Sequence, residues 1–307
     1  AGAVALTLHV AVPPDVVLLP EPAQDLWPVP VLRFPTADLT LVEATVMDGW
    51  ETKPIVVTAE EVRTDRFLWL EMFFRNWDRL PSPLREEGLT ALRRRHRRVL
   101  RGPEAWRTMD AEDWDRVPQP MRAMAVLGMI DCWRGRYRPG EGYRLSARDV
   151  ADRMKAIAMS ESWFLHRAES ENADGTRDVG IGQASAPTRS RIRVLYVRGV
   201  SDFGLADDEY LDPWKATRAL VYWFSLLLEE VSGDLDLATR AYNVGGEGAR
   251  EGRGSGYLEG VRRREREYVR GPGPSPSWRW LRERSPSPCP ADPAALTAIA
   301  RRVLRER

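Results

Sequence analysis

Val150, Met154, Ile157 and Glu161 follow one another at spacings of four, three and four, so a single helical stripe carries three apolar residues and then an acid. A carboxylate on a core-facing stripe is costly unless it is paired or protonated. An acid kept protonated near neutral pH is what general acid catalysis requires, and Met159, Trp163 and Phe164 can supply apolar walls that do so. The plainer reading is a helix-end glutamate that reaches solvent, and the stripe alone leaves both open.

Two later groups add chemistry. Gly180-Ile181-Gly182-Gln183 is a glycine-rich turn that lets backbone approach a ligand closely, and Gln183 ends it with an amide. In Ala241-Tyr242-Asn243-Val244-Gly245, Tyr242 offers a ring face and a hydroxyl that could reach the acid, and Asn243 a second amide. Each has an ordinary structural reading: Gln183 as a loop residue, Tyr242 as core, Asn243 as a helix C-cap. With Glu161-Ser162 they form an ordered triple. The triple resembles the catalytic domain of soluble lytic transglycosylases, the lysozyme-like family that includes goose-type lysozymes. There a Glu-Ser pair ends a helix, a Gly-Leu-Met-Gln element follows, and an Ala-Tyr-Asn element closes the cleft. Gly182 stands here where the family has Met, which widens the loop and removes a side chain from the cleft wall. Tyr257 and Val261 resemble the family's closing helix.

The resemblance implies a mainly α, lysozyme-like fold that cleaves the β-1,4 bond between N-acetylmuramic acid and N-acetylglucosamine. Glu161 would be the catalytic acid and base. Ser162, Gly180, Gly182, Gln183, Tyr242 and Asn243 would form the substrate site. The implied partner is peptidoglycan glycan strands, with a cell-envelope location, periplasmic or extracellular, and no metal or cofactor is needed. Goose-type lysozymes add aspartates that hold an attacking water, one before the glutamine and one two residues after it. Asp174 and Asp178 lie in the preceding loop, but Ser185 occupies the later position. That favours the non-hydrolytic reaction, which ends in a 1,6-anhydro sugar. The alternatives are a muramidase on the same fold and a silent glycan-binding envelope protein; the intact Glu161 argues against the last.

The elements that must hold these groups are mostly helical. Ser146 and Asp149 cap a helix beginning at Ala147, which carries the acid. Asp212 and Pro213 open a helix whose Trp214, Leu220, Val221, Phe224, Leu227 and Leu228 make it apolar nearly all round, hence buried. Gly233 ends it, and Leu235 to Tyr242 forms the next. Upstream, Pro118 and Pro120 open a helix over about Met121 to Trp133, and Thr58 with Glu61 opens one running to about Arg79. The two apolar runs around Asp48-Gly49 form a hairpin or a short helix plus a strand. Four segments result: a proline-rich strap at 1–35, an α-rich region at 36–140, the lysozyme-like domain at 141–270, and a proline-rich tail at 271–307. The tail closes in a short helix from about Pro293 to Arg305.

Composition sets the outer bounds. The chain has 307 residues, 43% hydrophobic and 30% charged, enough for a core without staples. Its net charge of +1 gives no global footprint for nucleic acid. The run Arg93 to Arg98 reads as the solvated face of an amphipathic helix anchored by Leu89, Leu92, Val99 and Leu100, rather than a polyanion site. His9, His96 and His166 show no zinc-site spacing. Cys132, inside an apolar helical pattern, reads as a buried thiol more readily than as a disulfide partner of Cys289. The apolar run Ala1 to Val12 is too short to span a bilayer, and no charged residue precedes it as in a signal peptide.

Overall fold

The computed structural model describes residues 32–33, 40–48, 51–57, 59–64, 69, 72–134, 145–172 and 174–285. They divide into two units, one ending at Ala91 and the other beginning at Leu92. The strap apart from Leu32–Arg33, the turn around Arg138 to Gly142, the Thr58 cap and the closing helix at 293–305 lie outside the described residues.

In the first unit, β1 (Leu32–Arg33), β2 (Thr40–Asp48) and β3 (Glu51–Val57) form an antiparallel sheet in that order. β2 and β3 pair from Val42 opposite Val57 to Asp48 opposite Glu51, so the hairpin is the form the chain adopts. Next come α1 (Ala59–Thr64), α2 (Phe74–Arg79) and α3 (Ser82–Arg95), which contains the boundary between units. The single helix expected up to Arg79 is interrupted. The Trp69 indole donates to the Val62 carbonyl at 2.9 Å. Phe73 is extended, and Trp69, Met72, Phe74 and Trp77 are buried. Aromatic burial outweighs helix continuity here.

The second unit continues with a 3₁₀ turn (Val99–Arg101), α4 (Pro103–Arg107), α5 (Ala111–Asp115), α6 (Gln119–Arg134) and α7 (Ala147–Ser162). The arginine run straddles the end of α3: Leu92 and Val99 are buried, whereas Arg94, Arg95, Arg97 and Arg98 are exposed. A two-stranded ribbon follows, β4 (Glu169–Glu171) with β5 (Arg177–Val179). After it come α8 (Ala186–Val197), a 3₁₀ turn (Asp207–Leu211), α9 (Pro213–Glu230), α10 (Leu235–Arg250) and α11 (Ser255–Arg264). A π-helical turn (Glu265–Arg270) and α12 (Pro276–Arg284) complete it.

α9 is the buried centre, as its all-round apolarity predicts, and packs against α6, α7, α8 and α10. Asp212 caps it, accepting from Lys215 N at 3.1 Å. Trp214 lies between Trp133 and Trp106, with ring centroids 4.7 and 6.1 Å away. Cys132 is buried on α6 but is disulfide-bonded, which corrects the free-thiol expectation; Cys289 lies outside the described residues. The linker-like stretch after Arg270 also holds more than its composition implies. Ser275 caps α12, and Trp278 and Leu281, one turn apart, are fully buried.

Candidate active site

The acid-bearing helix begins and ends under tight local control. At its start the Ser146 hydroxyl accepts from Asp149 N at 3.0 Å. At its end Trp163 and Phe164 both take left-handed backbone, with φ of 50° and 65°. Such a pair costs about 1–3 kcal/mol per residue and persists only when its surroundings enforce it. The Phe164 ring stacks on Trp278 at 6.1 Å, and the Trp163 ring meets Tyr268 edge-on at 5.7 Å. Gln119 Nε2 donates to the Trp163 carbonyl at 3.2 Å. Glu161 is thereby held in the last turn of α7.

Glu161 is largely withdrawn from water, and burial pushes its carboxyl up to about 7. The negative charge of Asp178 adds to the rise; the Tyr257 hydroxyl and the positive charge of Arg264 oppose it. Tyr257, near the start of α11, donates directly to Glu161 Oε1. This acid is therefore divided between both protonation states near neutral pH. Burial also holds the Tyr257 hydroxyl well above its ordinary value, so Tyr257 remains a donor.

The turn carrying Gly180 to Gln183 is built from protein–protein bonds. Ser162 is buried, and its hydroxyl donates to the Ile181 carbonyl at 2.9 Å, tying the end of α7 to the turn. Gln183, itself left-handed at φ 44°, donates from Nε2 to Ala168 O at 2.9 Å and Gly180 O at 3.0 Å. Its Oε1 accepts from Ser170 Oγ at 2.8 Å. Its amide thus clamps the turn to the strand-entry segment. Gly180 has φ 75°, and a Cβ there would strike the Tyr210 carbonyl oxygen. At Gly182 a Cβ would come within 2.8 Å of the Tyr242 hydroxyl. The close approach that these glycines permit is to protein, not to an open cleft.

Tyr242 differs from the expectation in its partner. Its hydroxyl donates to the Gly182 carbonyl at 2.5 Å, and Tyr257 reaches the acid instead. Tyr242 still lies within the electrostatic reach of Glu161 and Asp178, whose charges add to the upward push of burial on its own hydroxyl. Asn243 is exposed on α10, two residues before Gly245 breaks the helix at φ 74°. The role of Tyr257 was not legible: only its place in a closing helix was, and its partner is 96 residues away.

The family model of the transglycosylase SLT domain matches residues 146–257. Those residues form an SLT domain. The matched segment starts at the Ser146 cap and ends at Tyr257, the donor to Glu161. No curated protein and no solved structure matches the chain. The SLT domain is a lysozyme-like domain of the peptidoglycan lytic transglycosylase type, which makes peptidoglycan the substrate class. Its packing extends beyond the matched residues, because α6 lies against both α7 and α9.

Of the candidate water-holding groups, Asp174 Oδ1 accepts from Thr176 N at 2.9 Å and Thr176 Oγ1 at 2.6 Å, bonds that hold its carboxyl below its usual value. Asp178 accepts from Asn172 Nδ2 at 3.0 Å. Ser185 is the N-cap of α8, its hydroxyl accepting from Thr188 N at 3.4 Å.

Proposed function

We propose that the SLT domain is a lytic transglycosylase that cuts the β-1,4 bond between N-acetylmuramic acid and N-acetylglucosamine, with Glu161 as general acid and then general base. The observation that carries this reading is the sequestered Glu161 carboxyl, held near 7 by burial and in contact with Tyr257. Protonated Glu161 gives its proton to the glycosidic oxygen as the bond to the muramoyl C1 breaks. The N-acetyl oxygen of the same sugar stabilises the cationic C1, a recognised exception to the two-carboxylate rule. The Glu161 carboxylate then takes the proton of the C6 hydroxyl, whose oxygen closes on C1. The products are a free N-acetylglucosamine hydroxyl and a 1,6-anhydro end, with Glu161 reprotonated.

Asn243 is proposed to meet substrate from the exposed side of α10, and Tyr242 to form the cleft wall. Ser162, Gly180, Gly182 and Gln183 act by fixing the turn beside the acid. A cell-envelope location, periplasmic or extracellular, follows from the substrate, and the disulfide at Cys132 suits an oxidising compartment.

One observation supports hydrolysis as a second reading. Asp178 is close enough for its charge to raise Glu161, so it, rather than Asp174, is the group that would orient a water. Mass spectrometry of products from purified sacculi separates the two. Muropeptides lighter by one water and lacking a reducing end are expected; exclusively reducing ends would assign a muramidase.

A further inference from the structure

Among the described residues, the large apolar side chains that stand exposed are confined to the end of α8 and the turn after it. They are Val194 (41%), Tyr196 (51%), Val197 (79%) and Val200 (66%). α8 already buries its inner face, with Ile192 in a cluster with Phe203, Leu205 and Tyr210 and Leu195 packed against it. Val194 and Val197, one turn apart, are therefore surplus to the core.

The tip is rigid. Gly199 (φ 70°) donates to the Tyr196 carbonyl and Val200 N to the Leu195 carbonyl, both at 2.9 Å, the paired bonds of a left-handed helix stop. That stop normally folds its last apolar residue back on the helix, but Val200 projects outward. The Tyr196 ring is seated over Gly204, where a Cβ would come within 2.6 Å of it. The helix and its stop carry only basic charge: residues 186–200 hold Arg189, Arg191, Arg193 and Arg198 and no acid. The nearest acids, Asp202 and Asp207, follow in the next loop and pair with Arg218 and with Arg189 and Arg193, leaving Arg191 and Arg198 exposed beside the valines.

We propose that this tip docks on an anionic lipid bilayer. The valines would enter the headgroup boundary, Tyr196 would sit at the polar interface, and Arg191 and Arg198 would meet lipid phosphates. The patch fits a membrane better than a protein partner. A stable protein interface needs about 800 Å² per side with a packed centre, whereas four side chains at a helix end offer only an insertion wedge. The consequence for activity rests on the proposed catalytic reading. α8 starts three residues after Gln183 and rises for about 18 Å at ~1.5 Å per residue. Docking would hold the cleft at about that distance from the bilayer and direct it to glycan strands next to the membrane.

The test uses the full chain in sedimentation with vesicles of phosphatidylcholine alone or mixed with phosphatidylglycerol. Binding is expected only to the mixed vesicles, weakening with salt. The double variant Val197→Glu/Val200→Glu should bind about tenfold more weakly or worse, and Arg191→Gln/Arg198→Gln should lose the preference for anionic lipid. Melting temperature and turnover of soluble glycan strands should match the parent in both. Equal sedimentation of parent and variants, or none by the parent, overturns the proposal. So does parental self-association in light scattering that the valine variant abolishes, which would assign the patch to a second copy. Vesicle binding does not depend on turnover, so its failure and the failure of the catalytic reading are separate results.

Discussion

Burial and a single hydroxyl decide the behaviour of Glu161. Glu161→Gln keeps the shape and removes the proton, so turnover of wall material should fall to at most a few per cent while glycan binding persists. The same substitution should stabilise the fold, in a pH-dependent way. Between the usual carboxylate range and about 7 the folded chain keeps a proton that the unfolded chain has released. Folding is therefore progressively opposed as pH rises through that window, by a constant amount above it. Glu161→Gln removes that opposition, and its melting temperature should exceed that of the parent more at pH 8 than at pH 5. Tyr257→Phe probes the other determinant. Its hydroxyl favours the ionised acid, so deleting it should raise the Glu161 pKa and move the alkaline limb of the kcat/KM profile upward. An unmoved limb would show that Tyr257 does not set the acidity.

The element that matters next is the turn from Gly180 to Gln183, fastened on every side. Gly180→Ala must put a Cβ onto the Tyr210 carbonyl at positive φ, and a loss of about 2–4 kcal/mol is expected in urea unfolding. Ser162→Ala should cost about 1–3 kcal/mol, because it leaves the Ile181 carbonyl without its buried donor. Ser185→Asp is different in kind. Aspartate caps a helix as well as serine does, so α8 should survive while a carboxylate appears near the cleft. Some reducing-end product should then accompany the anhydro product in mass spectra. A purely anhydro pattern would mean that position 185 cannot hold a water.

At the scale of the molecule, Arg153 connects the helix that carries Glu161 to its neighbours. It is buried on α7 and donates to Glu265 at 2.6 Å, Asp236 at 3.0 Å and Thr239 at 2.9 Å. It thereby joins α7, α10 and the π-helical turn. Arg270 reaches Glu265 and Asp149 from the other side, at 2.7 and 2.8 Å. Breaking a fully buried pair on one side costs about 3–5 kcal/mol, but Arg270 still pairs with Glu265 and Arg262 with Asp236, so a smaller loss, about 1–3 kcal/mol, is expected here. Arg153→Met should lower the urea midpoint accordingly, and adding Glu265→Gln should recover part of the loss. The alkaline limb set by Glu161 should stay in place in both variants, which distinguishes a tether from a part of the acid.

Local rules were sufficient wherever one segment answers to itself. The Ser146 and Asp212 caps, the all-round apolarity of α9 and the apolar stripe leading to Glu161 are written within single helices, and these formed as read. The order of Glu161-Ser162, Gly180 to Gln183 and Ala241-Tyr242-Asn243 carries the resemblance to the domain family. Partnership was a different matter. Which tyrosine meets the acid, whether an amide faces ligand or protein, and where a helix yields to an aromatic core depend on groups distant along the chain. Tyr257 and Tyr242 are both tyrosines in the closing part of the domain, and only packing sends one hydroxyl to Glu161 and the other to the Gly182 carbonyl. Trp69 is buried with its indole on the Val62 carbonyl seven residues back, and Phe73 is extended where a continuous helix was expected. Sequence by itself determined the helices around Glu161 and the stripe that carries it, because those follow from periodicity and capping. Tertiary structure alone decided the acid's protonation and its neighbours, because burial and hydrogen-bond competition are settled only when distant segments meet.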